Sequence, residues 1–193
     1  MPNWASTSYR IEGEKKHLEK IYEICRAFAD GECDPIEKNA DRDWEGNVVV
    51  ALGLQDTSKY NLRGFIQYCS MEGDTLVIEA EEAWGTTDFR EALKAIFGDD
   101  IEVYYIVEEP GCEVYVTNDA EGKYFTGLFE VESCGLKNGN EWNNFDTKEE
   151  AMAFIARLLE KENITEEELD AWNEENEKDE RYVYLHEYTI IPN

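Results

Sequence analysis

The fold is decided by the segment Thr75–Thr117, which reads TLVIEAEEAWGTTDFREALKAIFGDDIEVYYIVEEPGCEVYVT. Apolar residues alternate with polar ones near both ends of this segment, and between Phe89 and Phe97 they recur at helical spacing. Two alternating stretches joined by an amphipathic helix, with a further strand returning after them, are typical of a βαββ unit. We therefore expect strand, crossover helix, strand and returning strand over this segment.

The residues on the N-terminal side extend this unit. Ser6–Glu12 alternates and is closed by Gly13, which predicts a strand, and Glu14–Ala29 has one apolar face, which predicts a helix. Leu62–Ser70 and Thr75–Glu81 are joined by a turn that contains glycine, as in an antiparallel hairpin. The resulting order is the βαββαβ succession of a ferredoxin-like fold. We predict an α+β protein whose antiparallel sheet carries its helices on one face.

Two segments lie between the first helix and the hairpin. Asp30–Gly46 is polar and rich in helix-breaking residues, so we interpret it as an inserted loop. Val48–Leu54 is β-branched and apolar, which predicts a short strand.

The C-terminal part predicts an extension of this core. Glu113–Val116 and Tyr124–Val131 flank turn residues and are interpreted as a hairpin, and Gly135–Asn144 is interpreted as a loop. Thr147 and Thr165 each precede a glutamate by three residues, the spacing of a helix capping box.

The chain ends in Arg181–Ile191, which alternates but is apolar on both sides, so we expect a strand between neighbours or at a covered edge. We predict one domain over residues 1–193, with a core over 1–117 that includes the inserted loop 30–46. Residues 118–193 add a β-hairpin, two helices and the final strand.

The charge is the most unusual property of the composition. The chain has 45 acidic residues against 18 Lys and Arg, a formal net charge of −27. A charge of this sign repels nucleic acid and anionic membranes and attracts basic partners. We expect a basic protein partner, with no direct nucleic-acid or membrane binding.

The cysteines and the apolar runs bear on the compartment. The five cysteines are odd in number and never spaced as C-x-x-C, which signals neither a disulfide framework nor a zinc site. No apolar run reaches the roughly 20 residues needed to span a bilayer, and no signal peptide is recognisable. A soluble, cytoplasmic protein is expected.

Three short motifs carry a family resemblance. Met1-Pro2-Asn3-Trp4 leads into the first strand, Trp84 precedes the second helix, and the pattern I-x-V-x-Y-x-x-E-E-P-G covers residues 101–111. In these pieces of residues 1–117 the chain resembles the ferredoxin-like domain family of plasmid and phage proteins typified by YubB. Members commonly have Cys at position 5 and prolines after the tryptophan, where this chain has Ala5 and then Gly85-Thr86-Thr87.

The resemblance implies a ferredoxin-like fold and an origin in a mobile genetic element. It implies no reaction, because the family brings no catalytic residues to transfer to this chain. No cofactor is expected.

The best metal candidate is the start of a calcium loop at Asp41, Asp43 and Glu45, followed by Gly46. The pattern is incomplete, because Val49 and Leu52 stand at its ninth and twelfth positions, where a carboxylate must close the site. An acidic, solvated loop is the competing interpretation.

Other catalytic candidates are few. We expect His17 on the polar side of the first helix and His186 in the last strand, and a Cys-His pair would need the fold to bring them together. Adjacent or alternate carboxylates offer a general acid and base. These pairs are Glu81 with Glu82, Glu108 with Glu109, and Glu130 with Glu132.

Acidic residues on the strands suggest a sharper hypothesis. Those that alternate with apolar positions are predicted to point outward about 6.6–6.8 Å apart, close to two phosphate steps of one DNA strand. The predicted partner-binding residues are Glu79, Glu81, Glu102, Glu130 and Glu132, with Glu174 and Glu175 from the acid-rich run near the C-terminus. Such rows would let the protein mimic DNA.

The sequence therefore predicts a non-enzymatic, acidic binding protein from a phage or plasmid, acting on a basic nucleic-acid-binding or host-defence protein. Two alternatives stay open: a carboxylate-based, metal-dependent hydrolase, and an interaction protein whose acidity only keeps it soluble. Adaptation to high salt is a third explanation of the charge, which the many large aromatic residues and the lysines disfavour. Exposed strand edges leave a dimer open as well.

Overall fold

The computed structural model describes residues 3–36, 41–137 and 139–191, which form two compact units. Of these residues, the first unit contains those up to 120 together with 190 and 191, and the second contains those from 121 to 189. Both combine helices with antiparallel strands, which confirms the α+β class. The assignment of residues 1–193 to a single domain stays a prediction.

The first unit is built on a six-stranded sheet with the order β2-β3-β1-β4-β5-β9. The predicted βαββ unit over residues 75–117 is confirmed as β3, α3, β4 and β5, and the β2-β3 hairpin is confirmed as well. The elements are β1 Trp4–Gly13, α1 Lys15–Ala29, α2 Glu45–Leu52, β2 Gly64–Glu72, β3 Thr75–Ala83, α3 Asp88–Phe97, β4 Ile101–Glu109, β5 Val114–Thr117 and β9 Thr189–Ile190.

The centre of this sheet is β1, which pairs antiparallel with β3 on one side and β4 on the other. Alternate residues of β1 face the helices, and Tyr9 and Ile11 are completely buried there. Helix α1 packs Leu18 and Ile21 into the same core, and α3 adds Phe89, whose ring lies 5.7 Å from that of Tyr9. Burial of these apolar side chains is the main stabilising contribution in the unit.

The predicted strand over Val48–Leu54 is wrong, because the part from Val48 to Leu52 belongs to α2. Val48 and Val49 are buried in the core and Gly53 ends the helix in a left-handed conformation at φ 115°. Packing in the core overrides the β-preference of valine, which is a weak local preference. The expected loop therefore ends at Trp44, and residues 37–40 of it lie outside the described part of the chain.

Strand β2 contains an irregularity that changes which side chains face the helices. Ile66 is opposite Ala80 on β3 and Cys69 is opposite Ile78, so the register shifts at Gln67. Ala80 and Ile78 both belong to the buried core. The shift, a β-bulge, therefore lets Ile66 and Cys69 face the same side although they are three residues apart.

The second unit packs two helices on one face of a three-stranded sheet with the order β7-β6-β8. Both predicted helix starts are confirmed: the Thr147 side chain accepts from the Glu150 amide, and Thr165 with Glu168 forms a complete capping box. The elements are β6 Phe129–Cys134, β7 Glu141–Phe145, α4 Lys148–Leu158, α5 Glu166–Asn176 and β8 Tyr182–Glu187.

The predicted hairpin between Glu113–Val116 and Tyr124–Val131 is wrong, because β5 pairs with β4 whereas β6 pairs with β7 and β8. Asn118 gives the physical reason. Its side chain accepts from the Tyr105 amide at 2.7 Å and donates to the Val103 carbonyl at 2.8 Å. These contacts hold Asn118, the residue after β5, against β4. In the predicted hairpin the chain would turn at this point and pair with β5 instead.

Two further expectations need correction. The loop predicted over Gly135–Asn144 contains the start of β7, whose polar sequence EWNNF hides its strand character. The single strand predicted over Arg181–Ile191 is divided between β8 and β9, which belong to different sheets. Tyr188 separates them and is itself buried.

The edge strand β8 is bound by a side chain of α5. Asn173 donates to the Val183 carbonyl at 2.8 Å and accepts from the Val183 amide at 2.9 Å. These are the two bonds that a neighbouring strand would make, so the amide covers this part of the edge.

Among the described helices, none combines the length and apolar character that a membrane crossing requires.

We predict that Gly13→Ala lowers the free energy of unfolding by about 2–4 kcal/mol. Gly13 has φ 149°, and a Cβ added there would lie 2.3 Å from the Asp100 carbonyl oxygen. Urea denaturation followed by circular dichroism measures this loss. Gly111→Ala is the control, because nothing lies within 4 Å of a Cβ at that position. Equal stability of the two variants would contradict the packing described at the end of β1.

Candidate functional site

Two glutamates are buried together in the first unit. Glu45 at the start of α2 and Glu82 on β3 are each 1% exposed, and a hydrogen bond joins their carboxyl groups. Glu82 also accepts from the Thr7 hydroxyl at 2.6 Å and from the Tyr9 hydroxyl at 2.6 Å, each on a different oxygen. A carboxylate can be buried when its oxygens are satisfied in this way.

The local sequence makes room for this pair. Glu45 packs against Gly64, where an added Cβ would lie 2.5 Å from its carboxyl carbon. Glycine at the start of β2 therefore leaves space for the carboxyl group between α2 and the sheet.

The environment differs between the two carboxyl groups. Burial, and then the negative charge of Glu82, raise the pKa of Glu45 well above its usual value. Burial also raises the pKa of Glu82, but the hydrogen bonds from Thr7, Tyr9 and Glu45 oppose that rise. The shared proton therefore belongs to Glu45, which donates it to the Glu82 carboxylate.

Two of the three pairs proposed from sequence, Glu81 with Glu82 and Glu108 with Glu109, are divided between the two faces of the sheet. Neighbouring residues of a strand point to opposite faces, so Glu81 is exposed whereas Glu82 is buried. The same alternation buries Glu109 and leaves Glu108 half-buried. The buried pair instead joins residues from α2 and β3, which no spacing in the sequence indicates.

The calcium candidate is not assembled. Glu45 faces Glu82 in the core, whereas Asp41 is exposed and Asp43 is half-buried. The Asp41 carbonyl accepts from the Asn47 side chain at 2.8 Å. Over residues 3–36, 41–137 and 139–191, no three His, Cys, Asp or Glu side chains form a group that could hold a metal ion.

Each histidine lies beside a carboxylate. His17 Nε2 is 3.4 Å from Asp100 Oδ2, and its ring lies 5.0 Å from that of Phe97. His186 Nε2 is 3.9 Å from Glu132 Oε2 on the neighbouring strand.

The acidic rows on the strands are largely engaged within the protein. Glu79 forms an ion pair with Arg10 at 2.9 Å, and Glu102 lies 3.5 Å from Lys94. Glu81 is exposed. The expectation that Glu130 points outward is wrong: it is 1% exposed and accepts from the buried Tyr188 hydroxyl at 3.4 Å.

Glu132, two residues along β6 from Glu130, is held by β8. It accepts from the Tyr182 hydroxyl at 2.9 Å, and this hydrogen bond is the main cause that raises the pKa of Tyr182 to about 12. The register places Trp142 of β7 and Tyr184 of β8 opposite Glu132. Opposite residues share a face, so these three lie in one row across the sheet.

This row lies on the face of the sheet that α4 and α5 do not cover. Trp142 is 53% exposed and Tyr184 is 46% exposed, and the Tyr184 ring stacks on that of Tyr182 at 4.8 Å. Large aromatic side chains exposed together commonly mark an interaction surface. The face therefore combines aromatic rings with a carboxylate.

A cleft of about 270 Å³ adjoins the two stacked tyrosines. Its volume is below the about 300–1,000 Å³ of pockets that enclose whole small molecules, so it suits a single side chain. Arg181 contributes one positive charge but stacks over the Trp172 ring at 5.4 Å. The lining residues are Asn173, Glu174, Glu177, Glu180, Arg181, Tyr182 and Tyr184, which we call the acidic cleft.

The acid-rich run around this cleft is solvated. All eleven acidic residues between Glu160 and Glu180 are exposed. Of the two predicted here as partner-binding, Glu174 lines the acidic cleft, and Glu175 is exposed outside its lining. Sequence reasoning missed Glu177, Glu180 and the two tyrosines, although the tyrosine alternation along β8 was visible in the sequence.

No protein-family model, no curated protein and no solved structure matches this chain. The resemblance to YubB-type proteins stays a prediction.

The buried glutamate pair predicts different stabilities for two variants of similar shape, Glu45→Gln and Glu82→Gln. We expect Glu45→Gln to retain or gain stability at neutral pH. The glutamine amide still donates to Glu82, and it has no proton to lose at neutral pH, whereas the Glu45 carboxyl group must stay protonated in the folded protein. Glu82→Gln should lose about 2–4 kcal/mol of unfolding free energy, because one of the two hydroxyl donors then loses its acceptor. Chemical denaturation of both variants measures this difference.

The same pair gives a pH dependence. Since the folded pKa of Glu45 is raised, the unfolded chain loses this proton above about pH 4.3 while the folded chain keeps it. Its contribution to stability is therefore complete below that pH and declines as pH rises toward the folded pKa. Glu45→Gln should flatten this decline in denaturation midpoints. An unchanged pH profile would contradict the proton assignment.

Proposed function

We propose that the protein is a non-enzymatic binding protein that takes a basic protein partner at the acidic cleft and the exposed acidic residues around it. The observation that carries this proposal is the cleft itself. Three carboxylates and two stacked tyrosines surround a space of side-chain size, and one arginine offsets only part of their charge.

The wider electrostatics support a cationic partner. The second unit contains 19 acidic residues against 7 Lys and Arg, a formal charge of −12. Such a field accelerates association with basic proteins and weakens as salt screens it.

The chemistry of the cleft favours lysine or arginine side chains. A guanidinium group forms paired hydrogen bonds with carboxylates and stacks on aromatic rings, and an ammonium group is attracted by both. A phosphate would meet three like charges in the same place. A partner presenting basic side chains is therefore the best match.

The proposal includes a ferredoxin-like fold for the core of the first unit. The strand order β2-β3-β1-β4, with α1 and α3 in the connections, supports a ferredoxin-like core in the first unit. An origin in a phage or plasmid rests on the sequence resemblance alone.

Inhibition of a host nucleic-acid-binding or defence protein is the role that such an origin would suit. In this proposal DNA mimicry uses the acidic residues around α5 and not the strand rows, because Glu79 and Glu102 are paired and Glu130 is buried.

A binding measurement with matched charge removal tests the proposal. The probe is a fluorescent arginine-rich peptide titrated with the full chain, and anisotropy reports binding. We expect binding at about 0.1 M salt and strong weakening at about 1 M, where the Debye length falls from about 10 Å to about 3 Å. The combined variant Glu174→Gln, Glu177→Gln and Glu180→Gln should weaken binding about tenfold or more.

The control removes the same charge outside the cleft through Glu160→Gln, Glu162→Gln and Glu167→Gln, and should weaken binding less than about threefold. Absence of binding at low salt would refute partner binding by charge. Equal weakening in the two combined variants would refute the cleft as the binding site.

A further inference from the structure

Two cysteines that are distant in sequence meet in the first unit. Cys25 lies on α1 and Cys69 on β2, and Cys69 packs against the buried core cluster that contains Cys25. Both side chains also line one small cavity, so a local approach of α1 and β2 is the movement that would bring the sulfur atoms to the about 2.05 Å of a disulfide.

The bulge in β2 brings them together. Because the register shifts at Gln67, Cys69 faces the helices together with Ile66. In a regular strand Cys69 would point to the opposite face, since residues three apart differ in side. The irregular strand therefore positions this thiol against α1.

A cavity of about 90 Å³ lies at the two thiols. The apolar wall of the cavity is formed by Phe28, Val48 and Ile66. Its border with solvent is formed by Gln67 and Tyr68, which are both exposed. A small reagent can therefore approach the pair without unfolding the sheet.

The lining of the cavity also differs in charge from most of the chain. Arg26 and Arg42 line it together with Asp43, and each arginine also pairs with a further aspartate, Arg26 with Asp30 at 2.8 Å and Arg42 with Asp34 at 3.5 Å. The net charge at the cavity is therefore small for a chain of charge −27.

The two thiols have different roles in any reaction. Cys25 is buried, and its hydrogen bond with Cys69 together with burial raises the pKa of its thiol well above the usual value. Cys69 is partly exposed. Since the thiolate is the nucleophile, Cys69 is the thiol that an incoming reagent meets first.

We infer that Cys25 and Cys69 form a dithiol site that low-molecular-weight disulfides oxidise to an intramolecular disulfide joining α1 to β2. The site lies in the first unit and does not depend on the proposed partner binding.

The reaction proceeds by two exchanges. The Cys69 thiolate attacks one sulfur of the reagent, the reagent's S–S bond breaks, and one small thiolate leaves and takes up a proton. Cys25 then loses its proton and attacks Cys69 Sγ, which expels the second small thiolate. The two protein thiols are oxidised by two electrons, and one disulfide reagent is reduced to two thiols.

The experiment treats the folded full chain with oxidised glutathione, quenches with acid, alkylates the remaining thiols after denaturation and maps the peptides by mass spectrometry. The expected main product is a Cys25–Cys69 cross-link that dithiothreitol reverses. Cys25→Ser should stop the reaction at a glutathione adduct on Cys69, and Cys69→Ser should leave Cys25 unmodified.

A variant with Cys33→Ser, Cys112→Ser and Cys134→Ser retains only the proposed pair and should give the same cross-link, which excludes exchange through the other thiols. The proposal is overturned if Cys33 and Cys112, which are exposed, carry glutathione while Cys25 and Cys69 are recovered as free thiols. It is equally overturned if the cross-link forms only in urea.

Discussion

The buried carboxylate of Glu82 is the constraint on which the architecture of the first unit depends. A charge in a core needs donors around it, and here three residues on two elements provide them: Thr7 and Tyr9 on β1, and Glu45 on α2. These contacts fix α2 over the central strands. They also explain why a segment with strand-like valines adopts a helix, since Glu45 reaches Glu82 from the first turn of that helix.

The acidic residues divide into two groups with different physical roles. Most of those on the strands interact within the protein. Glu79 pairs with Arg10 and Glu102 with Lys94, and Glu130 and Glu132 accept hydrogen bonds from tyrosine hydroxyls. Those around α5 are solvated and unshielded by a core. The second unit therefore presents a solvated acidic group, and the stacked tyrosines lie in the same unit.

The limits of sequence reasoning follow from which interactions are local. The amphipathic helices and their threonine caps were predictable, because spacing and capping act within a few residues. The conformation of α2 was not, because burial by distant elements decides it. The β2 bulge was not predictable either, and it turns the Cys69 side chain to the other face of the sheet. Nor were the hydrogen bonds of Asn118 to β4, which form in place of the predicted hairpin.

For the candidate site, composition alone indicated a basic partner and the acidic run that includes Glu174. It did not indicate the cleft, since Glu177, Glu180 and Tyr184 become neighbours only when β8 packs beside α5. The prediction that the strand glutamates face solvent is wrong at Glu130, which is buried. Alternation along a strand shows which residues share a face, but it does not show whether that face is covered.

The amide of Asn173 on the Val183 backbone has a consequence for self-association. An exposed strand with free peptide groups is a template on which a second chain can add, and chains at high concentration then assemble into aggregates. Because Asn173 belongs to α5, this protection lasts only while the helix stays docked. The acidic helix α5 thus also covers part of the β8 edge against pairing with a second chain.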